Sequence, residues 1–143
     1  MPTTEELNLL LHAPSESLSV EYKSWLDLSS NPGRANLAKA VIALANEGGG
    51  IVVLGMRENA TDGGALRSTP RPPEIPRYSL DQINAAVGRY AEPQFHCELM
   101  FQAHSNSDNE HAFVIVPGGM TVPVMSRREC EGVISNHRCY IRK

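Results

Sequence analysis

The chain is short of aromatics, of cysteine and of positive charge, and each shortage removes a class of function. Phe, Trp and Tyr make up 6% of its 143 residues, too few for an extended platform on which successive bases stack. Three cysteines, Cys97, Cys130 and Cys139, cannot all pair within the chain, so a reducing, cytoplasmic setting is expected. Their spacing with His96 and His137 fits no standard zinc pattern. A formal net charge of −3 argues against a sequence-blind coat for nucleic acid, and any phosphate must be met by a local basic patch. No apolar run approaches the ~20 residues of a membrane span. The N-terminus, MPTTEELNLLLH, lacks the basic region of a secretory signal.

What is present suits one domain over residues 1–143, read as the N-terminal part of a longer protein, and a hydrophobic content of 41% can support its core. The chain is organised around AKAVIALANEGGGIVVLGMR, residues 38–57. A helix places Leu37, Ala38, Val41, Ile42, Leu44 and Ala45 on one side. It stops at Asn46-Glu47-Gly48-Gly49-Gly50, because glycine takes φ > 0 past a helix end without a Cβ clash. The strand that follows, Ile51 to Met56, is apolar at nearly every position, so both its faces should be covered.

The rest is read around that corner. Thr3-Thr4-Glu5-Glu6 starts an N-terminal helix that ends by Ala13, before Pro14, and carries Leu7, Leu10 and Leu11 on one face. Leu18, Val20 and Tyr22 alternate with Ser19, Glu21 and Lys23, the period of a half-buried strand. Glu16 lies five residues before Glu21, so the two converge only if the chain turns between them. Asn31 is the expected cap of the next helix, with Pro32 at its first position. Arg34 in that first turn is disfavoured by the helix dipole, which suggests an anion nearby. Residues 57–78 are rich in Gly, Pro and Thr and are read as a long loop, a functional or partly mobile flap, containing Asp62-Gly63-Gly64. Ser79 with Gln82 opens a helix to about Ala91, with Leu80, Ile83, Val87 and Tyr90 buried. Phe95 to Gln102 and Ala112 to Val116 should form an antiparallel hairpin about a polar turn at Ser105 to Glu110. Residues 126–136 are loop-like, and Arg138 to Lys143 reads as a last strand. The order predicts an α+β domain with a mixed sheet flanked by two or three helices.

Four pieces resemble the Schlafen AlbA_2-type domain: Glu16 with Val20-Glu21-Tyr22-Lys23, Ala43-Leu44-Ala45-Asn46 followed by Gly49-Gly50, Ile51 to Gly55, and Cys139-Tyr140-Ile141-Arg142. They stand in the family's order, from about Glu16 to the last residue. The resemblance implies a single lobe of that fold and offers two functions. Many prokaryotic members look like regulators with DNA-binding domains. Animal members act as metal-dependent endoribonucleases on tRNA-like RNA, using three acidic residues that match Glu16, Glu21 and Glu58. The third is typically Asp in the family, with another Asp often before it, where this chain has Arg57. A single lobe would dimerise to copy the two-lobed nuclease clamp.

Three functional expectations follow. The first is a cytoplasmic nucleic-acid-binding regulator, on DNA or RNA, that meets phosphates with Lys23, Arg34, Lys39, Arg57, Arg138 and Arg142 and acts as a homodimer. The second is an endoribonuclease holding Mg²⁺ or Mn²⁺ on Glu16, Glu21 and Glu58, since hard cations take clustered oxygen ligands and activate water. The third is a dimerisation or scaffold module without nucleic acid, which the negative net charge permits. Gly48-Gly49-Gly50 is not a phosphate loop, because it follows a helix and precedes a strand. Ser-His-Asp catalysis has no local support.

Overall fold

The computed structural model describes residues 1–59, 61 and 63–142. Its elements run α1 (Thr4–His12), β1 (Val20–Lys23), α2 (Asn31–Asn46), β2 (Gly50–Leu54), β3 (Met56–Asn59), β4 (Ala65–Ser68), α3 (Leu80–Tyr90), β5 (Ala91–Glu92), β6 (Glu98–Ala103), β7 (Glu110–Val116) and β8 (Met125–Ser126). The main sheet has the order β1-β2-β7-β6, with β1 parallel to β2 and the other pairs antiparallel. A parallel pair needs a crossover, and α2 supplies it. The predicted α+β class and mixed sheet are therefore correct, and so is the β6–β7 hairpin. Among the described residues no helix is long and apolar enough to cross a membrane.

Alternation along β2 distributes its side chains between two cores. Val52 and Leu54 join Leu37, Val41, Ile42 and Leu44 of α2 and Ile83 and Val87 of α3. Val53 faces the other way, onto Tyr22, Phe113, Met56 and Leu7 and Leu11 of α1. Both faces of β2 are covered, as its unbroken apolar run predicts. A nine-residue helix is not stable alone in water. α1 is held by burying Leu7 and Leu11, each contributing about 1.5–3 kcal/mol. Its N-terminus carries a reciprocal capping box between Thr3 and Glu6.

The structure corrects the sequence reading in several places. Ser30, not Asn31, caps α2, its hydroxyl accepting the Gly33 N–H at 3.1 Å while donating to the Asp27 carbonyl at 2.9 Å. Leu18 is 57% exposed, at the tip of the Ser17–Val20 turn, and Leu80 is 40% exposed at the start of α3. The strand expected to continue to Met56 ends at Leu54. Gly55 has φ +97, and a Cβ there would come within 2.6 Å of the Trp25 ring, so the chain leaves the sheet at the one residue that can make the turn. Residues 57–78 are not all loop: β3 and β4 form an antiparallel hairpin whose Met56 and Leu66 pack on the α1-side core. The proline-rich part lies beyond it, while Asp62 of the expected turn is outside the described residues.

Two more strands differ from expectation for a common reason, capture of backbone by an Asn side chain. Phe95 to Cys97 precede the ladder, which begins at Glu98, because the Cys97 N–H donates to the Asn84 side chain of α3 at 2.8 Å. Residues 138–142 form no strand. The Asn46 amide donates to the Val124 carbonyl at 2.9 Å and the Tyr140 carbonyl at 2.8 Å, and its oxygen accepts the Val124 N–H at 2.7 Å. One side chain thus replaces a ladder. Lys143 lies outside the described residues.

Candidate functional site

The pleat of β1 sends Val20 and Tyr22 toward α1 and leaves Glu21 and Lys23 facing α2. The Ser17–Val20 turn swings Glu16 round to join them. Asn36 and Lys39, on the exposed flank of α2, form the second wall. Tyr140 and Arg142 of the C-terminal segment lie across the end. Together they line an open cleft of about 380 Å³.

Its electrostatics are built on one carboxylate. The Arg142 guanidinium donates to one oxygen of Glu21 and also to the carbonyls of Ser17 and Val20, the last at 3.0 Å. Lys23 Nζ stands 3.5 Å from the other Glu21 oxygen. Glu21 and Arg142 are each only 14% exposed, so this pair is screened little by salt. Lys39 is exposed, its ammonium 5.0 Å from the centre of the Tyr140 ring, a cation–π distance. The cleft therefore gathers three cations against two carboxylates. Asn46 is what makes this possible, since its hold on Tyr140 fixes the backbone that delivers Arg142 to Glu21.

The other candidates lie elsewhere. Arg34 is turned back on its own loop, donating to the Leu28 carbonyl at 3.0 Å and the Asn31 side chain at 2.5 Å. The anion expected beside it reduces to a minor influence on Asp27, whose carboxyl is lowered chiefly by hydrogen bonds from Ser29. Arg138 is exposed beside Ser126, its backbone paired there. Arg57 and Glu58 line a separate cleft on the β3–β4 hairpin.

The donor set does not fit a divalent metal in this arrangement. Among the described residues no three His, Cys, Asp or Glu side chains are placed to hold one. Glu16 and Glu21 share the cleft, but Glu58 is carried away from it by the turn at Gly55. Both Glu21 oxygens already face a cation. A carboxylate so engaged is a poor ligand for a hard cation that needs its lone pairs.

Sequence reading missed two features. The roles of Asn36 and Asn46 are visible only once the C-terminal segment is folded back, although Asn46 stood in a recognisable motif. The other is a buried polar cluster beneath the hairpin. His111 is fully buried; its Nδ1–H donates to the Leu54 carbonyl at 3.0 Å, and Nε2 accepts from the Ser68 hydroxyl at 2.6 Å. The carbonyl can only accept, which fixes the tautomer. Trp25 stacks on the imidazole, ring centres 6.0 Å apart, and burial lowers the histidine's pKa. No pattern in EHAFVIV reveals that residue 68 covers residue 111.

Comparison with known proteins agrees with this architecture. The family model described as Schlafen, AlbA_2 matches residues 16–143. No curated protein sequence gives a significant match. Among solved structures, the N-terminal domain of a Nitrosomonas europaea protein, named as related to the ATP-dependent DNA helicase RecG, is similar with a TM-score of 0.62 and 19% identity, over 100% of this chain and 92% of that one. The DIP2311 protein of Corynebacterium diphtheriae is similar at TM-score 0.55 and 13% identity, over 86% of this chain and 26% of that one. At these identities the likeness is one of fold.

Proposed function

We propose, from the premise that this chain belongs to the Schlafen AlbA_2 family, that it is a nucleic-acid-binding domain and that the cleft between β1 and α2 receives the sugar–phosphate backbone. One observation carries the reading: in a chain of net charge −3, cations from three separate elements, Lys23, Lys39 and Arg142, converge on one open cleft. Asn36 adds an amide, and the Tyr140 ring offers a face for a single base or sugar. Such contacts position a backbone without reading sequence. The name of the Nitrosomonas neighbour, which refers to a DNA helicase, is in keeping with this. Of the finer parts of the reading, the cytoplasmic setting rests on the three cysteines, and a regulator acting as a homodimer rests on the family likeness.

Binding is favoured over cleavage by the state of Glu21. A nuclease carboxylate must be free for metal or water, whereas this one is committed to Arg142 and Lys23. The test uses end-labelled tRNA and duplex DNA, with Mn²⁺ or EDTA, at two salt concentrations. Wild type should bind in a salt-sensitive way and leave the strands intact, and Lys39→Gln should weaken binding. Lys39 is exposed and its contact within the fold is the Tyr140 ring, so its loss should cost about 1 kcal/mol of stability or less. Cutting that needs Mn²⁺ would instead establish the endoribonuclease. Absence of binding to either polymer at low salt would move the domain to the dimerisation or scaffold role.

A further inference from the structure

Beside the cleft lies a second hollow, of about 350 Å³, that the binding of a phosphate backbone leaves unused. It is formed by the turn over residues 129–135 together with Lys39 and Tyr140, and those two side chains also line the cleft. The turn is well anchored. Cys130 and Ile134 exchange backbone hydrogen bonds, at 2.9 and 3.0 Å. Gly132 between them takes the left-handed conformation, φ +77, which glycine adopts without strain. Ile134 is buried, and Cys130 and Val133 pack on the core. Tyr140 is held twice over. Its carbonyl accepts from the Asn46 amide at 2.8 Å, and its hydroxyl accepts from the Ser135 N–H at 2.8 Å. The ring is therefore in place before any ligand arrives, which lowers the cost of binding against it.

Charge divides the two hollows. The cleft gathers Lys23, Lys39 and Arg142. The second hollow has the exposed carboxylates Glu129 and Glu131 in its lining, with Lys39 at the border. A phosphate is drawn to the first and repelled from the second. Ionised carboxylates accept hydrogen bonds and donate none, so the second hollow suits a group that offers N–H donors and a flat face to set against a ring. A nucleobase has both. Inside a duplex its face is stacked and its edge is paired, and reaching it there means taking it out of the stack. Unpaired bases are free to lie on an aromatic side chain with their edges exposed.

We infer that the hollow between Tyr140 and the 129–135 turn is a pocket for one unpaired nucleobase whose own phosphate lies in the cleft, so that the preferred ligand is a single strand and not a duplex. The inference rests on the nucleic-acid reading above and narrows its substrate class. Lys39 and Tyr140 stand where the backbone gives way to the base.

The experiment titrates three labelled DNA ligands of equal length across a salt series: a single strand, the same strand with abasic sites in place of its central bases, and the duplex. The abasic strand keeps every phosphate, so binding through the backbone alone treats it like the intact one. Wild type should bind it at least about fivefold more weakly, at an unchanged slope of log K against log salt. The duplex should also bind more weakly than the single strand, although it carries more phosphates. Tyr140→Leu should bind the intact strand as wild type binds the abasic one, while Tyr140→Phe, which keeps the ring, should retain most of the preference. Lys39→Gln should weaken both single strands by a like factor and reduce the slope by about 0.7. The comparison of the three ligands on wild type needs no variant to fold. If intact and abasic strands bind wild type alike while Lys39→Gln weakens both, the base pocket is overturned and the cleft reading stands. If Tyr140→Leu still separates the two strands as wild type does, the base is held elsewhere and the pocket is again overturned. If no ligand binds at low salt, the nucleic-acid reading falls and the pocket with it.

Discussion

Replacing Glu21 by Gln separates the functional readings most sharply, because they give opposite signs. The change keeps size and removes one charge. The cleft then holds Lys23, Lys39 and Arg142 against Glu16 alone. A phosphate held by Lys23, whose ammonium is 3.5 Å from Glu21, would stand roughly 7 Å from that carboxylate. The repulsion removed is about 0.6 kcal/mol at the dielectric of water and about 2.4 kcal/mol at an effective value of 20. A midpoint near 1.5 kcal/mol corresponds to about twelvefold tighter binding, with a steeper salt dependence. Stability moves the other way. Arg142 loses a charged acceptor in a site where both partners are 14% exposed, which costs about 1–2 kcal/mol, or roughly 2–8 °C in melting temperature. Fluorescence anisotropy with labelled RNA and DNA gives the first quantity and calorimetry the second. Tighter binding with a lower melting temperature is the expected pair. Weaker binding by a variant that melts as wild type would refute the reasoning, since Glu21 would then be a contact and not a brake. Loss of a Mn²⁺-dependent cut would refute it in favour of catalysis.

Three further outcomes are expected. Asn46→Ala removes three hydrogen bonds that hold residues 124 and 140 and should destabilise by about 2–4 kcal/mol, seen as a fall in the urea midpoint at unchanged slope. Stability should drop as pH is lowered below the ordinary histidine range. His111 has a folded pKa below its unfolded value because of burial, so the unfolded chain binds its proton first, and the loss begins at the unfolded pKa of about 6.5 and ends at the folded one. His111→Gln should flatten that segment of a midpoint-against-pH plot. Thiol labelling of the native protein at pH 8 should modify exposed Cys139 and spare Cys97, which is buried with its thiol pushed up to about 12; Cys97 should react only in urea.

How much of this was legible depended on where the determining contacts lie. The α2–glycine–β2 corner could be read because its signals are local: one apolar flank, an Asn-x-x-Gly-Gly stop and a run of Val and Leu. Gly49, at φ +100 with its N–H on the Leu44 carbonyl at 2.8 Å, is what a helix stop demands. The β3–β4 hairpin was missed because Arg57-Glu58-Asn59 and Ala65 to Ser68 show little apolar alternation; their strands are specified by pairing and by Met56 and Leu66. RCYIRK looked like a strand by composition, but its backbone is claimed by Asn46, 94 positions before Tyr140. The meeting of Glu16, Glu21, Lys23 and Arg142 was partly visible in the alternation of β1. The departure of Glu58 was not, because it turns on a glycine packed against Trp25.

Arg142 also closes something other than the cleft. β1 is an outer strand of the sheet. The Ile51 N–H bonds to Ser19 and the Gly55 N–H to Lys23, so the polar backbone groups of Val20 and Tyr22 point away from the sheet. An unpaired strand margin is a template for another chain, and here it lies beside exposed Leu9 and Leu18. The Val20 carbonyl is taken by Arg142 at 3.0 Å and by the Ser17 N–H at 3.1 Å. The guanidinium is thus a plug on the open side of the sheet. Whenever it is drawn off Val20, that margin becomes stickier, and self-association rises together with the change in the cleft.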